Sequence, residues 1–248
     1  MRSRLIILGL IIGLLGIIAT LFLWTNWRIK ERVLRYKFDK VNSQKRVTKA
    51  FEIEKILSTF KKLSYQDLNS EYKSFTKSNQ ENYEKLLLDK KYYQLTRDDF
   101  FRYIVDDIRI NEFLPKDKYY KECLSDKTKT YNWLMDKKLL NRLLALQNLL
   151  EEKGYNKRGF SITNGHRHPK DNERVGGAKL SRHIKGEAID IRINDIDNSG
   201  KFEKKDKEIV LELLEKEIIK SNGGIGKYPG TRAVHFDVRG YKARWDTY

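Results

Sequence analysis

The chain has 248 residues, a formal net charge of +17 at pH 7 and one cysteine, Cys123. This length accommodates one or two domains, and a single cysteine excludes an internal disulfide. The charge is compatible with a polyanionic partner such as an anionic membrane surface or polymer. Because the basic residues are spread along the chain and mixed with acidic ones, most of the charge is expected on solvated helix faces, and no nucleic-acid partner is expected.

The first predicted element is a membrane anchor. Residues 5–24 form an uncharged run of 20 residues rich in Ile and Leu, and a helix of this length spans the ~30 Å hydrocarbon core of a bilayer. The alternative is a cleaved signal peptide, but its apolar region is usually only ~7–15 residues and ends at a small-residue cleavage site, which is missing here. Trp24 and Trp27 suit a membrane interface. We therefore predict a transmembrane anchor within residues 1–27.

The charges that flank this run leave its orientation open. Arg2 and Arg4 precede it, whereas five basic residues follow it within residues 28–37. The positive-inside rule alone would place the rest of the chain in the cytoplasm. The chemistry of the C-terminal residues favours the outside, and a long following domain can override local charge. We expect a membrane-anchored protein whose soluble part is extracytoplasmic, on the periplasmic or cell-wall side.

Residues 28–95 are predicted to form a basic helical stem. The segment 28–91 is polar, rich in lysine and free of Gly and Pro, and apolar positions such as Phe51, Ile53 and Ile56 have a spacing that suits an amphipathic helix. Such a stem would hold the rest of the chain away from the membrane. The same segment could instead pack as a small helical subdomain.

From about residue 96 the pattern predicts a mixed domain, residues 96–248. The expected helices cover about residues 98–105, 133–152 and 203–221, and the expected strands cover residues 159–163, 188–193 and 233–238. The second helix carries a long amphipathic set of leucines and ends at Gly154. Helices and short strands mixed within one domain indicate an α+β fold.

His183, Asp190 and His235 carry the most chemical information. Alternation along a strand places His235 and Asp237 on one face, and places Asp190 on the face opposite its apolar neighbours. If the two strands pair, these side chains can converge, and a loop through Gly186 can bring back His183. Two imidazole nitrogens and one carboxylate oxygen suit a catalytic zinc ion that keeps one position open for water. A strand-facing histidine can also be a satisfied core residue.

Several short strings occur in a fixed order in the last third of the chain. They are Asn164-Gly-His-Arg-His-Pro169, Asn172, Val175-Gly-Gly-Ala178, Ser181-x-His183-x-x-Gly186-x-Ala188-x-Asp190, Gly224-x-Gly226-x-Tyr228-Pro229 and Val234-His-x-Asp237. The ordered set resembles the D-alanyl-D-alanine carboxypeptidase family of zinc peptidases, which shares a fold with VanX-type dipeptidases and hedgehog signalling domains. It is most similar to the branch with murein endopeptidases and phage endolysins. The resemblance covers roughly residues 139–245.

The resemblance implies a small antiparallel sheet with flanking helices and a Zn²⁺ cofactor. It implies His183, Asp190 and His235 as the metal ligands, and peptidoglycan peptides as the partner. Arg167 matches an arginine that faces the substrate or the developing oxyanion, which suits a guanidinium group; its alternative is a structural pairing with a nearby Asp. Ser181 is expected to bind substrate or to brace the loop of His183.

The general base is the least determined role. Several family members carry Glu three residues before the last ligand, or His two residues before it, whereas this chain has Arg232 and Ala233 there. Asp237 is the preferred catalytic candidate and Glu187 the reserve. Asp237 could equally be a carboxylate that orients the imidazole of a ligand.

Two further histidines, His166 and His168, are expected to be surface or pocket residues and not ligands. Together the predictions indicate a membrane-anchored zinc metallopeptidase that hydrolyses peptidoglycan stem peptides or cross-links, as a carboxypeptidase or an endopeptidase. An alternative is a catalytically inactive, zinc-containing module that binds the cell wall, because the usual Glu and His near His235 are missing. A metal nuclease, suggested by the charge and by residues 165–168, is a third interpretation.

Overall fold

A computed structural model describes residues 26–246 of the chain. The predicted transmembrane run, residues 5–24, lies outside this range. Within it, no helix combines the length and the apolar character that crossing a bilayer requires.

The described residues alternate helices with short strands. The α-helices are α1 (Trp27–Val41), α2 (Ala50–Ser58), α3 (Ser70–Thr76), α4 (Glu81–Leu87), α5 (Lys118–Ser125), α6 (Lys137–Glu152), α7 (Pro169–Arg174) and α8 (Lys204–Leu213). The strands are β1 (Lys61–Ser64), β2 (Lys91–Leu95), β3 (Tyr103–Val105), β4 (Ile108–Arg109), β5 (Tyr131–Trp133), β6 (Phe160–Asn164), β7 (Ala188–Ile193), β8 (Gly224–Gly226), β9 (Ala233–Asp237) and β10 (Ala243–Trp245). Short 3₁₀ turns cover Asp98–Phe101 and Ile110–Phe113, and a π-helical turn, Leu214–Ile218, extends α8.

A five-stranded sheet forms the centre of the C-terminal half. Its strand order is β10-β8-β9-β7-β6, and its neighbours are antiparallel except for the parallel pair β10 and β8. Within the central pair, Asp190 on β7 lies opposite His235 on β9. The other sheets are β1-β2-β5 and the hairpin β3-β4. The predicted α+β class, with small antiparallel sheets and flanking helices, is confirmed.

Helix α6 supplies much of the core beside this sheet. Asp136 caps its start by accepting a hydrogen bond from the Lys138 N–H (2.7 Å), and Gly154 follows its end with φ +76°. Burying one leucine side chain contributes about 1.5–3 kcal/mol, so the apolar residues on the inward face of α6 stabilise its packing in the core. That face consists of Leu139, Leu140, Leu143, Leu144, Leu146, Gln147 and Leu150.

The prediction that residues 28–95 are an all-helical stem is wrong. The segment contains β1 and β2, which pair with each other, and β2 also pairs with β5. Within β2, Tyr92 and Leu95 are buried on opposite faces of the strand and belong to two different hydrophobic clusters, so this lysine-rich segment has no simple alternation that would mark it as a strand. Tyrosine favours the half-buried surface of a sheet, and this preference outweighs the helical pattern of the segment.

The same segment also packs into the main core. Ile53 and Leu57 of α2 are buried in one hydrophobic cluster with Leu143 of α6 and Ile189 of β7. The boundary predicted at residue 95 falls between β2 and its partner β5. Residues 50–95 therefore contribute side chains and strand pairing to the unit that carries the C-terminal sheet.

Other element predictions needed smaller corrections. The expected helix over residues 98–105 is a 3₁₀ turn followed by β3, because the β-branched pair Ile104 and Val105 is buried in a strand. The helix expected from residue 133 begins at Lys137, since Trp133 belongs to β5. The strands expected over residues 188–193 and 233–238 are confirmed by β7 and β9.

Candidate metal centre

Three side chains converge at the middle of the five-stranded sheet. Nδ1 of His235 lies 2.8 Å from Oδ1 of Asp190. Nε2 of His183 lies 3.1 Å from the same oxygen and 3.2 Å from Nδ1 of His235. All three residues are buried. The structure thus brings together the residues that the sequence proposed as metal ligands.

His183 reaches this point because the chain turns sharply at Gly186. Gly186 has φ +66°, and a Cβ there would lie 2.5 Å from the carbonyl oxygen of Leu134. Its own carbonyl accepts a hydrogen bond from the Asp136 N–H (2.9 Å). Only glycine fits this backbone conformation next to another chain segment, so Gly186 sets the position of the loop that carries His183.

Each imidazole directs its second nitrogen at an acceptor. Nδ1 of His183 lies 2.7 Å from the carbonyl oxygen of Gly165, and Nε2 of His235 lies 3.2 Å from Oδ2 of Asp237. These oxygens can only accept hydrogen bonds, so in the neutral rings those two nitrogens carry the proton. The lone pairs of His183 Nε2 and His235 Nδ1 therefore face the oxygen of Asp190.

This donor set fits zinc. The three donor atoms lie within 4.8 Å of one another, at the separations of 2.8 to 3.2 Å given above. Ligands bound tetrahedrally at ~2.0–2.2 Å from zinc are about 3.3–3.6 Å apart, so the three donors need to move apart by only a few tenths of an ångström to bind the ion. Two nitrogens and one oxygen would leave the fourth position for water or substrate, as in catalytic zinc sites.

Asp190 is held in its ionised form. Burial opposes ionisation, but whenever the imidazole of His183 or His235 is protonated on the nitrogen that faces Asp190, its charge and hydrogen bond outweigh burial and lower the pKa of the Asp190 carboxyl. Its second oxygen accepts hydrogen bonds from Arg167 Nη2 (3.2 Å) and Asn164 Nδ2 (3.1 Å). Oδ1 of Asp190 therefore faces the two imidazole rings, while Oδ2 is held by Arg167 and Asn164.

Arg167 has both of the features that the sequence left as alternatives. Its pairing with Asp190 is the structural role, and it also lines the cleft over the metal centre. Ser181 lines the same cleft, and its carbonyl accepts the Ile184 N–H at 3.2 Å, which braces the loop of His183.

Asp237 is fully buried and enclosed by donors. Its carboxylate accepts hydrogen bonds from the Gly224 N–H (2.9 Å) and from Nε of Arg239 (2.9 Å), besides facing His235. Burial raises the pKa of this carboxyl, but the bonds to His235 and Arg239 outweigh burial and lower it. This geometry favours the orienting role over that of a base open to water.

The reserve candidate, Glu187, is also engaged elsewhere. Its oxygens accept hydrogen bonds from Arg182 Nη1 (2.9 Å) and Lys90 Nζ (3.0 Å). It does not line the cleft over the metal centre. Among the described residues that line this cleft, Asp190 is the one carboxylate.

The cleft itself has a volume of about 610 Å³. Its wall includes residues that the sequence analysis gave no role, although Asn164 and Tyr228 stand in the strings that carry the resemblance. Trp245 packs against the ring of His235, with ring centres 5.1 Å apart. The others are Asn164, Arg182, Tyr228, Arg239 and Tyr241.

The remaining two histidines lie outside the three-ligand group. Both are buried, so their predicted surface position is wrong. Nε2 of His168 lies 2.9 Å from Oδ2 of Asp117, which ties the start of α7 to the start of α5. His166 lines a second cleft, beside the first, in agreement with a pocket position.

Two histidines and one carboxylate, buried under an open cleft, form a three-ligand metal site of the kind found in catalytic zinc enzymes. Residues 116–237 match the family model described as Peptidase M15. The match covers about half of the chain and contains the three proposed ligands. Through this segment the chain belongs to the M15 family of zinc peptidases, the D-alanyl-D-alanine carboxypeptidase-like group.

Members of this family are zinc-dependent metallopeptidases, which confirms zinc as the cofactor. Neither the search of curated proteins nor the search of solved structures gave a match.

Proposed function

We propose that this protein is a membrane-anchored zinc peptidase that hydrolyses peptide bonds in or between peptidoglycan stem peptides. The observation that carries the proposal is the centre formed by His183, Asp190 and His235 under a cleft, in a segment of the M15 family. The anchor in residues 1–27, the extracytoplasmic location and the choice between carboxypeptidase and endopeptidase cleavage are parts of the proposal.

Zinc bound by His183, Asp190 and His235 would polarise the scissile carbonyl and lower the pKa of a water molecule toward ~7. The chain itself fixes the geometry. The Gly165 carbonyl and Asp237 hold the two imidazole rings in the tautomers that aim their lone pairs inward. Arg167 and Asn164 hold Asp190 from behind.

Three guanidinium groups line the cleft, from Arg167, Arg182 and Arg239. Each is held in place by a carboxylate, namely Asp190, Glu187 and Asp237 respectively. Guanidinium groups fixed in this way can donate hydrogen bonds to a substrate carboxylate or to the oxyanion that develops at the scissile carbonyl. They favour a peptide substrate that carries free carboxylates, as stem peptides do.

One observation supports a second candidate, a zinc-containing module that binds wall peptides without cleaving them. A peptidase needs a group that takes a proton from the attacking water. Among residues 26–246, the carboxylate that lines the cleft is the proposed ligand Asp190, and both candidates for the base are paired with cations. The titratable cleft residues outside the metal centre that could move a proton are Tyr228 and Tyr241.

The test is hydrolysis by the full-length chain in detergent, because a fragment that starts at residue 96 would lose β2. Purified peptidoglycan and linear stem peptides are incubated with the protein in zinc or in chelator, beside His183→Ala. Zinc-dependent fragments that the variant does not release establish the peptidase, and their masses identify the bond. Zinc-dependent binding without any fragments would favour the non-catalytic module.

A further inference from the structure

Helix α1 is packed against the folded unit along one side. Its residue Trp27 contacts Tyr120 edge-to-face, with ring centres 6.1 Å apart, and Phe38 contacts Phe101 at 6.0 Å. Leu34, between them along the same side, also packs on the main core. The helix is therefore part of the folded unit and not a free spacer.

Both acidic residues of α1 are already neutralised by this packing. Glu31 lies 3.5 Å from Nζ of Lys116, and Asp39 lies 3.0 Å from Nη1 of Arg109. These two are the only acids in the sequence of the helix. No carboxylate of α1 is left unpaired to balance the basic residues of its solvent-exposed side.

The solvent-exposed side of α1, called here its outer face, carries five exposed cations. None of them forms an ion pair with any carboxylate in residues 26–246, and two of them lie over aromatic rings of the same helix, Arg28 over Trp27 at 5.5 Å and Lys40 over Tyr36 at 4.8 Å. The five residues are Arg28, Arg32, Arg35, Lys37 and Lys40.

The position of this face along the chain is also informative. The uncharged run ends at residue 24, and α1 begins at Trp27. Because α1 is packed on the folded unit from its first residue, very little chain separates the run from that unit. Any membrane that holds the run therefore lies close to the N-terminal end of α1.

We propose that the outer face of α1 binds the anionic lipid headgroups of the membrane in which residues 5–24 are anchored. The inference rests on the anchor of the proposed function and adds a second, electrostatic contact with the same leaflet. Basic residues close to an anionic surface each contribute roughly a fivefold factor to binding. The cations that follow the run then have a role in lipid binding, whichever side of the membrane they occupy.

The experiment measures how close α1 lies to lipid in the full-length chain. Val33, exposed on the outer face, is replaced by cysteine and labelled with a fluorophore; Cys123 is buried and stays unlabelled in the folded protein. The chain is reconstituted into vesicles of phosphatidylcholine, alone or mixed with phosphatidylglycerol. Quenching by a lipid with a nitroxide headgroup reports contact.

Two matched variants test the charges. In the first, all five cations of the outer face become Gln. In the second, five exposed lysines elsewhere, none of them in an ion pair, become Gln, so that the net charge falls equally; these are Lys55, Lys61, Lys127, Lys138 and Lys153. Vesicle flotation after a high-salt wash checks the anchor separately, and hydrolysis of a soluble peptide checks the proposed enzyme.

We expect strong quenching only in vesicles with phosphatidylglycerol, loss of it in the outer-face variant and in high salt, and no change in the control variant. Equal quenching in both vesicles, or equal loss in both variants, overturns the inference. Failure to float overturns the anchor and the inference with it, while leaving the peptidase assay unaffected. If soluble polyphosphate changes the fluorescence of the dye while no lipid-dependent quenching occurs, the outer face binds an anionic polymer instead of lipid.

Discussion

Nε2 of His235 lies 3.2 Å from Oδ2 of Asp237, and Arg239 binds the same carboxylate from its other side. Through this pair, the ring of a proposed ligand is oriented by a buried charge that is itself neutralised. Such outer partners fix the tautomer and orientation of a metal-bound histidine and so contribute to metal affinity.

Asp237→Asn should therefore weaken zinc binding. The amide cannot accept from His235, Arg239 and the Gly224 N–H as the carboxylate does, and loss of such a partner typically lowers metal affinity about 10–100-fold. Zinc affinity is measured by competition with a chromogenic chelator, and kcat at saturating zinc. If affinity is unchanged while kcat collapses, Asp237 acts as the base and not as the orienting group.

Replacing a proposed ligand should remove the metal altogether. Asp190→Ala and His235→Ala each delete one of the three donors around the centre, and the remaining two cannot complete a site with three protein ligands. Metal analysis of the purified variants should find little zinc, against a stoichiometric amount in the parent. His166→Gln serves as the control, since His166 lies outside the centre, and it should keep its zinc.

Gly186→Ala should destabilise the fold and displace His183. A Cβ at this position would meet the Leu134 carbonyl at 2.5 Å with φ +66°, and strain of this kind costs about 1–3 kcal/mol. Gly200→Ala is the matched control, because its φ is +88° but nothing lies within 4 Å of the added atom. Urea unfolding should show a larger loss for Gly186→Ala, and only that variant should lose activity while still folded.

Cys123 should be inert in the folded protein. Burial raises the pKa of its thiol to about 12, and the thiolate is the form that reacts. Iodoacetamide at pH 8 should therefore leave the native chain unmodified and alkylate it rapidly in denaturant. Mass spectrometry follows the adduct. Rapid modification without denaturant would mean that the region around α5 opens readily.

The convergence of Asp190 and His235 was predictable from the sequence for a physical reason. Asp190 and His235 lie on strands with clear alternation, so pairing of those strands fixes which side chains meet. The role of Asp237 was not decidable, because its donors come from Arg239 and from the backbone of β8. That strand is Gly-Ile-Gly, with too few side chains to show a pattern.

The N-terminal half was harder to predict because its strands are short and rich in lysine. Their partners lie far away in sequence, as Tyr93 of β2 does from Trp133 of β5. Helical spacing in α2 was recognised correctly, and extending it across the following residues produced the error. Strand preference of this kind depends on tertiary neighbours that a local pattern does not contain.

The attachment of α1 also sets a range of action. A domain on a long flexible linker can reach substrate far from its anchor, whereas this folded unit begins directly after residue 26, without a flexible linker. For about 220 residues, a compact unit measures roughly 40–50 Å across. With the preceding run in a membrane, as proposed, the cleft would reach only substrate within a layer of that thickness next to the bilayer.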